Sequence, residues 1–173
     1  MTLRNRLGII YRNLFAPVHL AWSKAEFLSL LKAAPESVER WIDITEQYQG
    51  KGWFANMAAW QVRSEFEAMV RLVESEKPAR IMEIGTAKGA TLLSWCRIAS
   101  EHVISVDLEH GIHGGGYPTV KQQLYREFTH GRSELRLDLF QDNSQIEATR
   151  QKVEAELEGN KLDVLFIDGD HSY

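Results

Sequence analysis

The sequence is poor in the features that mark secreted, membrane-spanning or nucleic-acid-binding chains. Its 173 residues include one cysteine, Cys96, which can form no internal disulfide and so agrees with a reducing compartment. No apolar run approaches the roughly 20 residues that cross a bilayer. A net charge of -4 offers no broad cationic surface for a nucleic-acid backbone. These absences favour a cytoplasmic protein that acts on small molecules, with no nucleic acid as partner.

The first residues also lack the pattern of a signal peptide. Residues 3–15 mix arginines with apolar residues, but Arg12 and Asn13 interrupt the apolar run too early. The same mixture occurs in helices that lie on a membrane surface. Two alternatives stay open: a membrane-surface helix, or a helix packed on the body of the protein or on a second subunit, as in a homo-oligomer.

A change in the pattern of apolar residues divides the chain into two regions. The first is helical in pattern and is interrupted by prolines and by a Gly-Lys-Gly turn. Apolar residues at three- and four-residue steps predict a helix from about 58 to 74, and Pro78 ends it. We therefore predict an N-terminal helical region over residues 1–77 and a second region over residues 78–173.

In the second region, short apolar runs alternate with amphipathic stretches, which indicates strand-helix-strand units and a parallel sheet. The predicted strands are 80–84, 102–107, 134–140 and 162–168, with helices over 88–99, 118–128 and 145–157. Right-handed crossovers give the strand order 3-2-1-4. Glu83, Asp107 and Asp168 then fall at the carboxyl ends of strands, where α/β sheets bind ligands.

The turn after the first predicted strand carries the strongest signal. Residues 83–89 read Glu-Ile-Gly-Thr-Ala-Lys-Gly and lead into a helix, whose first backbone amides can bind a ligand. Unlike the Gly-x-Gly-x-x-Gly of dinucleotide binders, this turn contains an acid that would repel a pyrophosphate. We expect Gly85 and Gly89 to let the backbone approach the ligand and Glu83 to lie near its cationic group. The alternative is a tight connection without a ligand.

Two later segments favour a nucleoside with a positive charge, which points to S-adenosylmethionine. Asp107 ends the second strand about twenty residues after the turn, where a carboxylate can accept hydrogen bonds from a ribose diol. Asn143, followed by Ser144, comes after the third strand, where an amide can bind the amine of the base. For Asp107 and Asn143 alike, the alternative role is a helix cap.

The final segment brings two acids and a histidine together after the fourth strand. Asp168, Asp170 and His171 are separated only by a glycine. We expect Asp168 and His171 to deprotonate a hydroxyl, or Asp168 and Asp170 to bind a divalent cation such as Mg²⁺. The alternative is a turn with solvated acids, because a metal needs more ligands than this segment offers.

Four segments together resemble one family. They are Glu-Ile-Gly-Thr-Ala-Lys-Gly at 83–89, Val-Asp at 106–107, Gly-Gly-Gly-Tyr-Pro at 114–118 and Phe-Ile-Asp-Gly-Asp-His-Ser-Tyr at 166–173. They resemble class I S-adenosylmethionine-dependent methyltransferases, in the branch of cephalosporin hydroxylase-like and rhamnosyl O-methyltransferase-like proteins. The resemblance covers roughly residues 47–173. It implies a Rossmann-like methyltransferase sheet and O-methylation of a sugar or small-metabolite hydroxyl.

The resemblance also implies roles for single residues. It places Glu83, Gly85, Thr86 and Gly89 around the methionine part, Asp107 at the ribose, Asn143 and Ser144 at the adenine, and Asp168 at the catalytic edge. Such proteins more often have an aspartate at the position of Asn143. They also continue with a helix, a fifth strand and a closing strand pair, so we expect a C-terminally truncated chain. The alternative function is a non-catalytic scaffold that binds a nucleoside or dimerises.

Overall fold

A computed structural model describes residues 3–109 and 116–169, and it shows helices packed on a parallel sheet. The helices are α1 (Leu3–Leu14), α2 (Ala16–Lys32), α3 (Val38–Gln47), α4 (Arg63–Ser75), α5 (Ala90–Ile98), α6 (Gln122–Tyr125) and α7 (Glu147–Leu157). The strands are β1 (Arg80–Ile84), β2 (His102–Asp107), β3 (Arg136–Gln141) and β4 (Val164–Ile167). Short 3₁₀ turns occur at Gly52–Phe54, Thr119–Lys121 and Arg126–Thr129.

The sheet has the order β3-β2-β1-β4, and all neighbouring strands are parallel. The predicted order 3-2-1-4 is therefore confirmed. In the register, Glu83 of β1 lies opposite Ser105 of β2 on one side and Phe166 of β4 on the other. The carboxyl ends of β1, β2 and β4 consequently meet at one edge of the sheet.

Several predicted boundaries differ from the observed ones. The helix predicted over 58–74 begins only at Arg63, because residues 55–62 are irregular and Val62 has an extended conformation. The helix predicted over 118–128 is a short α6 between two 3₁₀ turns. The inward-facing residues of the whole segment 118–128, Leu124, Tyr125 and Phe128, are buried as the helical spacing requires.

The largest hydrophobic cluster joins the N-terminal helices to one face of the sheet. It includes Phe27 of α2, Trp41 of α3, Ile81 of β1 and Trp95 of α5, all of them buried. A smaller cluster on the opposite face is covered by α7. The core thus runs across the boundary between 1–77 and 78–173, and the division into two regions stays a prediction.

Candidate functional site at the carboxyl edge of the sheet

The loop between β1 and α5 forms the centre of the site. Gly85 and Gly89 both have left-handed backbone, with φ of +99° and +95°. The Gly85 amide donates to the Val106 carbonyl at 2.9 Å, and the Gly89 amide donates to the Thr86 carbonyl at 2.8 Å. The loop is therefore fixed to β2 on one side, and it closes on itself just before α5 begins at Ala90.

The space beside each glycine is filled by protein. A Cβ atom on Gly85 would lie 2.4 Å from the Asp168 carbonyl oxygen, and one on Gly89 would lie 2.7 Å from the Tyr125 ring. Glycine is thus required for close packing against the end of β4 and against α6. This reason was not foreseen from the sequence, and the approach of a ligand to the same backbone stays a prediction.

Glu83 lies directly under this loop and is fully buried. Its Oε1 accepts a hydrogen bond from the Ser105 hydroxyl at 3.0 Å, whereas Oε2 has no hydrogen-bond partner among the described residues. Burial raises the pKa of Glu83 to about 7, and the nearby Asp107 acts in the same direction, against the hydroxyls of Thr91, Ser105 and Thr86. Glu83 is therefore a carboxyl group that titrates near neutrality.

Asp107 joins the end of β2 to the loop after β1. Its Oδ2 accepts hydrogen bonds from the backbone amides of Thr86 at 3.1 Å and Ala87 at 2.8 Å, and its Oδ1 accepts from the Leu108 amide at 2.8 Å. Burial raises the pKa of this carboxyl, against the lowering effect of the three amides. A carboxylate oxygen has two lone pairs, so Oδ1 keeps the capacity to accept one more hydrogen bond.

Asp168 follows β4 at the same edge and is exposed. Its Oδ2 accepts a hydrogen bond from the Gln61 side-chain amide at 2.5 Å, and its backbone amide donates to the Ile84 carbonyl at 2.9 Å. No local pattern in the sequence connects Gln61 to a residue so distant along the chain. Asp170 and His171, the other predicted residues of this segment, lie outside the described residues.

Asn143 and Ser144 lie after β3, where both are exposed. The Asn143 side-chain oxygen accepts a hydrogen bond from the Gln145 amide at 2.9 Å, and its carbonyl accepts from the Ile146 amide at 3.2 Å. These bonds form a turn before α7, whose N-cap is Ile146, so Asn143 is not the cap of that helix as the alternative role required. The proposed contact of Asn143 and Ser144 with an adenine stays a prediction.

A buried lysine, also missed by the sequence analysis, ties the irregular segment 55–62 to the loop. The Lys121 ammonium donates to the carbonyls of Asn56 at 2.9 Å and of Ala55 and Lys88 at 3.4 Å. Burial lowers the pKa of Lys121 to about 8. Within the same segment, the exposed ring of Trp60 lies 5.5 Å from the Lys88 ammonium. Segment 55–62 thus forms one wall of the site.

The described residues contain no group of three or more histidine, cysteine or acidic side chains that could hold a metal ion. Of the two predicted metal ligands, Asp168 is among the described residues and Asp170 is not. The carboxyl groups of Glu83 and Asp107 at the loop suit an organic cation, and the ammonium groups of Lys88 and Lys121 lie at the same loop. Because Glu83 is buried, it would act on such a ligand through its charge and not by contact.

Comparisons with known proteins identify the family of the second region. Residues 82–173 match the model of a family described as a methyltransferase domain, which is just over half of the chain. Two solved structures are similar: a candidate O-methyltransferase from Klebsiella pneumoniae, with a TM-score of 0.45 and 18% identity, and an O-methyltransferase from Bacillus cereus in complex with SAH, with a TM-score of 0.43 and 16% identity.

The matches to these two structures cover 88% and 87% of this chain and 63% and 62% of theirs. The chain therefore spans less than two thirds of the length of either protein. No curated protein matches the chain.

Proposed function

The chain belongs to the methyltransferase domain family, and from this premise we propose that it binds S-adenosylmethionine and takes part in methyl transfer to a hydroxyl of a sugar or small metabolite. The observation that carries the proposal is the junction of Asp107 with the loop amides of Thr86 and Ala87. It joins the predicted ribose-binding acid and the glycine-bearing turn into one rim at the carboxyl edge of the sheet.

The residues at this rim fit the proposed cofactor. Asp107 keeps acceptor capacity for a ribose hydroxyl, and Glu83 places a carboxyl with an orphaned oxygen beneath the loop. Gly85, Thr86 and Gly89 are the loop residues that we propose around the methionine part, and Asn143 with Ser144 those near the adenine. When bound, S-adenosylmethionine supplies an electrophilic methyl group on a positively charged sulfur.

The remaining task of the protein is to align the acceptor and remove its proton. We propose Asp168, which follows β4, as the base that accepts the hydroxyl proton, and His171, three residues later in the sequence, as the other candidate for that role. Gln61 already donates to Oδ2 of Asp168 and would hold the carboxylate in place. Asp168 and Asp170 were also predicted to bind Mg²⁺, but Asp168 is not part of a metal-ligand cluster among the described residues.

The test of the proposal is the Asp107→Asn variant. The substitution weakens the acceptor group and its hold on the loop, so we expect S-adenosylmethionine affinity to fall by more than about 1 kcal/mol, the scale of a lost hydrogen bond to a charged group. Isothermal titration calorimetry of the folded variant measures this directly.

Asp163→Asn is a matched control for this test. The Asp163 carboxylate also accepts hydrogen bonds from two backbone amides, those of Ala79 and Arg80, both at 2.8 Å, but at the opposite edge of the sheet. The Asp163→Asn variant is expected to have a lower free energy of unfolding and an unchanged affinity for S-adenosylmethionine. Equal affinity of the Asp107 variant and wild type would contradict the proposed ribose contact. Heat on titration without transfer of a labelled methyl group to any hydroxyl acceptor would favour the non-catalytic scaffold.

A further inference from the structure

A strip of large apolar side chains on α1 and the first half of α2 is left uncovered by the described part of the protein. It consists of Leu7, Ile10, Tyr11, Leu14, Val18 and Trp22, which are 42–72% exposed. Leu7, Tyr11, Leu14 and Val18 follow four- and three-residue steps, so they share one side of the helices. We call this set the N-terminal strip.

The strip lies in the basic part of an otherwise acidic chain. No aspartate or glutamate precedes Glu26, although the whole sequence has 24 of them. Arg4, Arg6, Arg12 and Lys24 all fall in this acid-free stretch. Arg6 is exposed beside the strip in the helical rotation, whereas Arg12 lies over the Trp53 ring and Lys24 pairs with Glu127 at 2.6 Å. Large apolar residues flanked by cations are typical of helices that lie at a lipid interface.

Contacts at the end of α1 fix the direction in which the strip faces. The Trp53 indole donates to the Asn13 side-chain oxygen at 2.9 Å, and the Arg12 guanidinium lies 5.0 Å from the Trp53 ring. Across the junction of the helices, the rings of Tyr11 and Phe15 are 4.7 Å apart. The side of α1 between Arg12 and Asn13 therefore rests on the body, and Leu7, Leu14 and Val18 face away from it, while the Tyr11 ring also lies 5.5 Å from that of the buried His19.

We propose that the N-terminal strip docks on an anionic lipid surface, with its apolar side chains at the acyl boundary and Arg6 beside the lipid phosphates. Charge complementarity supports this occupant, because basic residues near an anionic bilayer each favour binding. A second copy of the chain is less suited, since pairing two identical strips would bring two acid-free, basic segments together. Docking would be parallel to the surface, as no described helix is long and apolar enough to cross a membrane.

Co-sedimentation of the full chain with vesicles tests the proposal. We expect binding to phosphatidylcholine vesicles that contain phosphatidylglycerol, weaker binding to phosphatidylcholine alone, and a loss of binding at high salt. The double substitution Leu14→Asp and Val18→Asp is expected to lower partitioning by at least about tenfold. Arg6→Gln is expected to lower it by about fivefold on anionic vesicles only, which corresponds to roughly 1 kcal/mol per charge.

Leu72→Asp is the matched control, because Leu72 is 65% exposed on α4, outside the strip. It is expected to bind as the wild type does, and circular dichroism verifies that each variant is folded. Equal partitioning of the strip variants and the Leu72 variant would overturn the proposal. So would a dimer in sedimentation equilibrium that Leu14→Asp dissociates, because the occupant would then be a second copy. Neither result depends on methyl transfer.

Discussion

The stability that Glu83 contributes depends on pH in the direction opposite to that of most acidic residues. In the unfolded chain its pKa is near 4.5, whereas burial raises it to about 7 in the folded protein. Between these values the folded state binds more protons than the unfolded state. Its favourable contribution is therefore fully present below about pH 4.5 and is lost as the pH rises through 7.

The Glu83→Gln variant tests this linkage. We expect the wild type to lose roughly 3 kcal/mol of unfolding free energy from this group between pH 4.5 and pH 8, and the variant to lack that loss. Urea unfolding of both proteins at a series of pH values measures the difference. Glu65→Gln, at an exposed position on α4, is the control and should follow the wild type. Parallel curves for the Glu83 variant and wild type would contradict the raised pKa.

Ionisation of Glu83 also bears on the proposed ligand. A cation bound above the loop would stabilise the carboxylate and lower its pKa, so binding near pH 7 should release a fraction of a proton. Calorimetric titration with S-adenosylmethionine in two buffers of different ionisation enthalpy measures this release. In Glu83→Gln the release should disappear, and proton uptake by the wild type on binding would show that the charge relation is wrong.

The sequence indicated where the acids lie but not how they are connected. Asp107 is at the predicted end of β2 because a buried apolar run leads directly to it. Its hydrogen bonds to Thr86 and Ala87 use backbone amides, which carry no side-chain signal in the sequence. The contact of Gln61 with Asp168 joins residues 107 positions apart, and such a pairing depends on the complete fold.

Among the secondary-structure elements, the loop after β1 and the strand β4 depend on each other through Gly85. In Gly85→Ala the new Cβ would meet the Asp168 carbonyl and would also require a left-handed alanine. We expect a loss of about 3 kcal/mol or more, because the left-handed conformation alone costs about 1–2 kcal/mol. Chemical denaturation measures the change.

Gly131→Ala separates the two causes of that loss. Gly131 has φ of +78° but open space where a Cβ would be added, so its substitution measures the backbone cost alone. The expected loss is about 1–2 kcal/mol. Equal losses for the two variants would show that the end of β4 moves away from the loop without cost.

Arg97 connects α5 to two other parts of the helical layer. Its guanidinium pairs with Glu36, before α3, and donates to the carbonyls of Phe128 at 3.1 Å and His130 at 3.0 Å. Burial lowers its pKa to about 10. We expect Arg97→Ala to cost about 3 kcal/mol, since it leaves two carbonyls and a carboxylate without their donor. Thermal and urea unfolding measure the loss.

Arg71→Ala is the comparison for this variant. Arg71 pairs with Glu39 and Glu67 but is 44% exposed, so its loss should cost less than about 1 kcal/mol. A similar cost for both variants would show that the buried hydrogen bonds of Arg97 add no more stability than an exposed ion pair.

The elements themselves were predicted to different degrees. The bounds of β1 and β2 agree with the prediction, because both are buried and mostly apolar. The glycine turn marks the end of β1, and Asp107 marks the end of β2. The segment 118–128 was predicted as one helix from its apolar spacing, which identified the buried residues. That spacing is shared by α-helical and 3₁₀ turns over so few residues, so the pattern could not separate them.

For the molecule as a whole, the continuous core predicts a single cooperative unfolding transition. Trp41 lies in the helical layer and Trp95 lies against the sheet, where its ring is 5.4 Å from that of Phe166. We expect fluorescence of variants that retain one of these tryptophans to report the same urea midpoint as circular dichroism. Two separated midpoints would instead support independent regions divided near residue 77.

The strand order has a consequence for synthesis on the ribosome. The central strand β1 pairs with β4, and the Asp168 backbone fills the space beside Gly85. A nascent chain translated only as far as β3 would therefore lack β4, the strand that fixes the side of the loop away from β2. Recognition of a small ligand should thus be acquired only after the strand at 164–167 has emerged from the ribosome and docked.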